Sequence, residues 1–249
     1  MLNMQSAAKR HAPRSFIDLR TFARDASQGV AFGNWAMEDA FLSSRRVLEF
    51  PCGPATAGVI VLAAGSGAVA SMPADEFIIA CDGFITLAQD GRKLTLEEGG
   101  CAVIRHGAAV TWSAHGPVTL IFMRYNHSWP GDGGIVPMAE NPDMGPSGGP
   151  LAELLLTPAP VCRNHVDYQS ADRAFACGTW DATPYRRRSM VYQMVELMYL
   201  LKGSVTLADE TGRTRTFARG DIVIVEQDAQ CSWESREHVV KVYATCRAA

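Results

Sequence analysis

Glu76-Phe-Ile-Ile-Ala-Cys-Asp-Gly83 and Glu196-Leu-Met-Tyr-Leu-Leu-Lys-Gly203 share one frame: a glutamate, six residues and a glycine, repeated 120 positions on. The register extends outward. At the same offset Gly58 falls on Gly178, and Thr86-Leu-Ala88 falls on Thr206-Leu-Ala208. One inserted residue near Thr211 changes the offset to 121. Gly91-Arg92 then matches Gly212-Arg213, Thr95 matches Thr216, Gly99 matches Gly220 and Trp112 matches Trp233. Glycines and a tryptophan held in register across a single gap identify an internal duplication.

Each copy reads as β-structure. Phe84-Ile85-Thr86-Leu87 and Ser204-Val205-Thr206-Leu207 are short β-prone runs, each followed by a turn signal, Gln89-Asp-Gly-Arg92 or Asp209-Glu-Thr-Gly212. Cys101-Ala-Val-Ile104 and Ile222-Val-Ile-Val225 follow glycine turns, and Val118-Thr-Leu-Ile-Phe122 and Val239-Val-Lys-Val-Tyr243 close the copies. Many short strands with almost no helical period indicate a sandwich or barrel. Two segments lie outside the repeat. A short helix is expected over 18–27, capped at Gly29. A Gly/Pro-rich connector over 126–157 is too long for a hairpin loop and must cross between the copies.

Composition narrows the function. The net charge is −3 over 249 residues, with no clustered basic excess of the kind that displaces counterions from nucleic acid. The longest apolar stretch, roughly 57–64, falls far short of the ~18 residues of a membrane helix. The opening Met-Leu-Asn-Met-Gln-Ser-Ala-Ala-Lys has no apolar core of a secretory signal. Seven cysteines, odd in number and without Cys-x-x-Cys spacing, suit reduced, buried thiols. A cytoplasmic protein is expected, with no nucleic-acid or membrane partner.

The frame of Glu-x6-Gly, a turn, then a glycine leading an apolar strand resembles the two motifs of the cupin superfamily. The second copy is similar to a subfamily that includes relatives of ureidoglycine aminohydrolase and the ethanolamine-utilisation cupin. The residues concerned are Gly178-Thr-Trp180, Glu196 to Gly203 with Tyr199, Glu226 to Ser232-Trp233, and Lys241-Val-Tyr243. The similarity covers 158–246 well and 45–125 weakly. It implies an all-β bicupin: two tandem double-stranded β-helix (jelly-roll) barrels. An N-terminal arm would occupy 1–44, the first barrel 45–125, the connector 126–157 and the second barrel 158–249. It also implies a possible homodimer, since cupins commonly pair by packing sheets.

The departures bear on chemistry. Metal-binding cupins place His-x-His before the glutamate and a further histidine in the second motif. Here those positions hold Ala70 and Met72 in the first copy and Met190 and Tyr192 in the second, with Val110 and Cys231 in the second motif. No cofactor is expected; a divalent metal on Glu196 and Cys231 would have a poor ligand set.

Strand alternation then assigns a face. If Glu196 points inward, Met190, Tyr192, Met194 and Met198 share its side, with Trp180 and Trp233 as flat walls. The matching first-copy set is Ala70, Met72, Ala74, Glu76 and Ile78. The second barrel thus offers the better pocket, and its expected ligand-binding set is Met190, Tyr192, Met194, Glu196, Met198, Trp180, Cys231, Trp233 and Lys241. Both glutamates could instead hold a buried base such as Lys241. Arg186-Arg187-Arg188 reads as a solvated run or as a site for a carboxylate or phosphate. The leading expectation is a barrel that binds a small polar or anionic metabolite, its metal ligands lost. The alternatives are an aminohydrolase- or isomerase-like enzyme using Glu196 and Tyr192, or a structural, oligomerising protein.

Overall fold

The computed structural model describes residues 15–32, 39–49, 53–131 and 133–247. The readings placed on the first residues and on Cys52 lie outside them. Two pairs of facing antiparallel sheets form two barrels. In the first, the large sheet orders Ile135–Pro137, Cys101–Ile104, Asp75–Asp82, Val118–Tyr125, Ala55–Leu62, Arg45–Val47 and Val30–Ala31. Its small sheet orders Gly65–Val69, Val110–Ala114, Ile85–Gln89 and Arg92–Leu96. In the second, the large sheet orders Phe16–Asp18, Ile222–Val225, Val195–Lys202, Val239–Cys246, Phe175–Ala182, Cys162–Gln169 and Gly145–Pro146. Its small sheet orders Tyr185–Val191, Gln230–Ser235, Ser204–Ala208 and Thr214–Ala218.

The apolar runs are continuous because both faces of the large sheets are covered. Along Asp75–Asp82, Ile78 and Ala80 point into the first barrel, while Phe77, Ile79 and Cys81 point the other way. That second face meets Phe175, Cys177, Leu197, Ile224 and Ala244 of the other copy in one shared core. The large sheets therefore pack against each other within one chain. Tyrosine–carboxylate bonds reinforce the contact in both directions: Tyr125 donates to Asp172, and Tyr168 donates to Asp75 at 2.8 Å.

The duplication is visible in backbone detail. Gly83 and Gly203 take φ of 73° and 74°, the left-handed region. A Cβ on Gly58 would lie 2.2 Å from the Arg46 carbonyl oxygen, and one on Gly178 would lie 2.0 Å from that of His165. Thr86 bonds Thr95 at 2.9 Å, as Thr206 bonds Thr216 at 2.8 Å.

The N-terminal arm differs in detail from expectation. Its helix spans only Leu19–Arg24, capped by the Asp18 side chain on the Thr21 N–H. It stops early because the Asp25 carboxylate takes the Ser27 N–H and the Gln28 amide, a local turn that competes with the next helical bonds. The preceding strand, Phe16–Asp18, joins the large sheet of the second barrel, not the first. The connector likewise contributes an edge strand to each large sheet, Ile135–Pro137 and Gly145–Pro146. Ala70 is exposed, so it does not share the inward face expected of it. The chain turns through Ser71 and Pro73 between two strands, and alternation does not carry across that turn.

The first barrel carries its glutamate in a buried ion cluster. Glu76 is fully buried and accepts Arg45 Nη1 at 2.6 Å, Arg45 Nη2 at 2.9 Å and Arg124 Nε at 2.8 Å. The Arg45 guanidinium lies against the rings of Phe41 and Phe122. Burial alone would raise the Glu76 pKa. The two guanidinium groups outweigh it and hold the carboxyl below its ordinary value of 4.5.

Glu76→Gln leaves two buried arginines facing one neutral amide and should cost roughly 3–5 kcal/mol at neutral pH. Since the folded pKa is depressed, this contribution is complete above pH 4.5 and is lost as the pH falls through the lower folded value. Denaturant titrations of both proteins from pH 7 to pH 3 should show the gap closing at the acid end; a gap independent of pH would refute the assignment. A second test concerns the turn where Gly107, φ 87°, is replaced by Asp228, φ 64°. Asp228→Gly should raise the urea midpoint, by up to about 1 kcal/mol of stability.

Candidate functional site

The second barrel uses the same framework differently. Glu76 lies opposite Arg124 across its strand pair, and Glu196 lies opposite Thr245. Arg45 lies opposite Ile60, and Asn164 lies opposite Trp180. Both arginines of the first barrel are thus replaced by short side chains. The space so released is part of a cavity of about 550 Å³.

Lys241 supplies the cation instead. It stands at the register position of Leu120, opposite Trp180 where Leu120 is opposite Ile60. Its Nζ donates to Glu196 Oε1 at 2.7 Å, rests 3.1 Å from Met198 Sδ, and lies 4.8 Å and 5.2 Å from the ring centres of Trp180 and Trp233. The indoles meet edge to face at 6.0 Å, and Tyr185 stacks on Trp233 at 5.7 Å. This gives a rigid aromatic wall with a charged pair at its base.

On the small sheet, Tyr185, Arg187 and Met190 all line the cavity. Simple alternation would turn Met190 outward after Arg187; a bulge between them restores its inward direction. The Arg187 guanidinium is buried and donates to the Cys231 carbonyl at 2.8 Å, the Arg188 carbonyl at 3.2 Å and the Tyr192 hydroxyl at 3.0 Å. Among the described residues no carboxylate pairs with it. Burial pushes the Tyr192 phenol well above its ordinary range, so it stays protonated at neutral pH. Burial also pushes Tyr243 up to about 12, with a hydrogen bond from Asn164 offsetting part of the rise.

Of the residues expected from sequence, Met190, Tyr192, Met194, Glu196, Trp180, Trp233 and Lys241 line this one cavity. Met198 lies beneath, touching Lys241. Cys231 is buried and faces Arg187 with its carbonyl, while burial pushes its thiol up to about 11. The arginine run divides: Arg187 is interior, and Arg186 and Arg188 are exposed. Sequence reasoning missed Asn164, Tyr185, Tyr243, Thr245, Arg247 and the connector residues Ser147–Pro150 at the mouth. Only the repeat register could have found Asn164 and Thr245, as counterparts of two arginines. Among the described residues no three His, Cys, Asp or Glu side chains converge as a metal site.

Residues 169–243 match the EutQ-like cupin domain. A protein of unknown function from Pseudomonas syringae pv. tomato is 27% identical, with a TM-score of 0.82 over 93% of this chain and 98% of its own. This chain belongs to the cupin superfamily. The cupin fold is also shared with a conserved barrel protein from Leptotrichia buccalis, 11% identical with a TM-score of 0.61 over 96% of this chain and 99% of that one. Protein Ylba from E. coli is 12% identical, with a TM-score of 0.53 over 94% of each chain. No curated protein is similar to this cupin.

The high thiol pKa of Cys231 makes a poor nucleophile and a poor metal ligand in the folded cupin. Iodoacetamide at pH 8 should leave Cys231 unmodified in native protein and label it in urea, as read by peptide mass spectrometry. Rapid labelling of the native thiol would contradict this placement.

Proposed function

We propose that this protein is a bicupin that binds a small anionic metabolite in its second barrel, with a carboxylate of the ligand held by Arg187. The observation that carries the reading is a buried guanidinium, without a carboxylate partner among the described residues, set in the wall of an aromatic-lined cavity. A guanidinium pairs bidentately with a carboxylate, and such charge-assisted bonds are strongest where water is excluded. The cavity volume, about 550 Å³, lies in the ordinary range for small-molecule sites. Its ionic lining groups, Arg187, Lys241 and Arg247 against Glu196, leave a positive excess that favours an anion. The indole walls would cover the apolar body of the ligand.

Binding is favoured over acid–base catalysis by Glu196 and Tyr192. Lys241 holds the first as a paired carboxylate, and Arg187 occupies the hydroxyl of the second.

A thermal-shift screen of short carboxylates should find compounds that raise the melting temperature. Arg187→Met should then weaken the best of them roughly 10- to 100-fold, the range expected for lost hydrogen bonds to a charged group. Unchanged affinity in that variant would overturn the reading.

A further inference from the structure

The first barrel shows what the conserved carboxylate position accepts. Glu76 takes three N–H bonds from two guanidinium groups, so one carboxylate holds two cations. Among the described residues Glu196 takes one bond, from Lys241, and holds one cation. Its Oε2 has acceptor capacity left over, since an ionised carboxylate offers about four lone-pair sites.

A second acceptor stands beside it. Asn164 occupies the register position of Arg45 and lines the cavity, and its Oδ1 is buried with no hydrogen-bond partner among the described residues. A buried acceptor left unpaired costs about 1–3 kcal/mol. An N–H donor from a ligand would satisfy it. The aromatic surroundings also persist: Arg45 lies 4.7 Å from the Phe122 ring centre, and Tyr243 stands opposite Gly178 as Phe122 stands opposite Gly58. The chain has thus kept the carboxylate and the aromatic face, removed the guanidinium, and left an acceptor at its base.

We infer that the ligand carries a guanidinium or ammonium group as well as a carboxylate, and that this cation takes the place in the second barrel that the Arg45 guanidinium fills in the first. The inference rests on the carboxylate reading of Arg187 and extends it to a class, small guanidino or amino acids. The carboxylate lies on Arg187. The cationic end lies on Glu196 Oε2 and Asn164 Oδ1, flanked by Tyr243 and Trp180. The first barrel, supplied with its own cation, is the counterpart.

The test is calorimetric titration of the full chain with guanidinoacetate, 3-guanidinopropionate and 4-guanidinobutyrate, each beside the unsubstituted carboxylic acid of equal chain length. Methylguanidinium serves as a competitor. At the chain length that fits, the guanidino acid should bind roughly 10- to 100-fold tighter than its partner acid. Asn164→Leu and Glu196→Gln should each erode that preference. Asn164→Arg, which restores the residue of the first barrel, should abolish binding. Should that variant fail to fold, displacement of the guanidino acid by methylguanidinium from wild-type protein decides the same point. Equal affinity within every pair would overturn this inference and leave the Arg187 reading in place. Binding of methylguanidinium with no binding of the plain acids would support the cation position on Glu196 and Asn164 and overturn the carboxylate position on Arg187. No binding by any of these compounds at millimolar concentration would overturn both.

Discussion

A carboxylate placed inside a barrel of apolar strands must be neutralised or it will not stay ionised and buried. This constraint organises both halves of the protein. The first copy meets it with Arg45 and Arg124, whose guanidinium groups and aromatic neighbours consume the interior. The second meets it with a lysine from a different position on the equivalent strand, lodged between two indoles. A slender ammonium in place of two planar guanidinium groups leaves room, and that room is part of the cavity. The same frame holds a buried ion cluster in one copy and borders a cavity in the other.

The two copies are not separable parts. Each large sheet buries one face inside its barrel and the other against its counterpart, so each needs the other to cover its apolar surface. The N-terminal strand belongs to the second sheet although it precedes the first barrel. Arg20, just after that strand, donates to the Gly220 carbonyl at 2.6 Å and the Cys81 carbonyl at 2.9 Å, one from each copy. The connector continues the theme. It edges both sheets and then supplies Ser147–Pro150 to the mouth of the cavity. The two barrels thus support each other through one shared core.

The positive excess around the cavity sits beside one paired carboxylate, which gives the site two unlike ends. Among the described residues Arg187 donates to no anion, and Asn164 Oδ1 beside Glu196 has no donor. The aromatic wall between them is stiff, since Trp180, Trp233 and Tyr185 pack on one another. Such a wall loses little conformational freedom when a ligand arrives.

The duplication, the all-β class, the strand runs and the inward side of Glu196 were all legible in the sequence. Each follows from local rules: glycine in left-handed turns, alternation along a strand, β-branched residues between turn signals. Even Asp228 keeps the backbone of the glycine it replaces, because the turn geometry belongs to the repeat. Alternation failed at Ala70, where the chain left its strand, and held for Met190, while a bulge between Arg187 and Met190 lets both line one cavity. Other features depended on contacts between distant segments. The sequence names Lys241 as a base that Glu196 could hold, and the packed barrel brings the two together. That Arg187 would be the buried member of its triplet and that Asn164 would inherit the place of Arg45 are matters of cross-strand register and available volume. Sequence carries the identity of a charge and the side of the strand it occupies. Only the packed barrel decides whether a counter-charge lies within reach, and so whether the space beside it is filled or open.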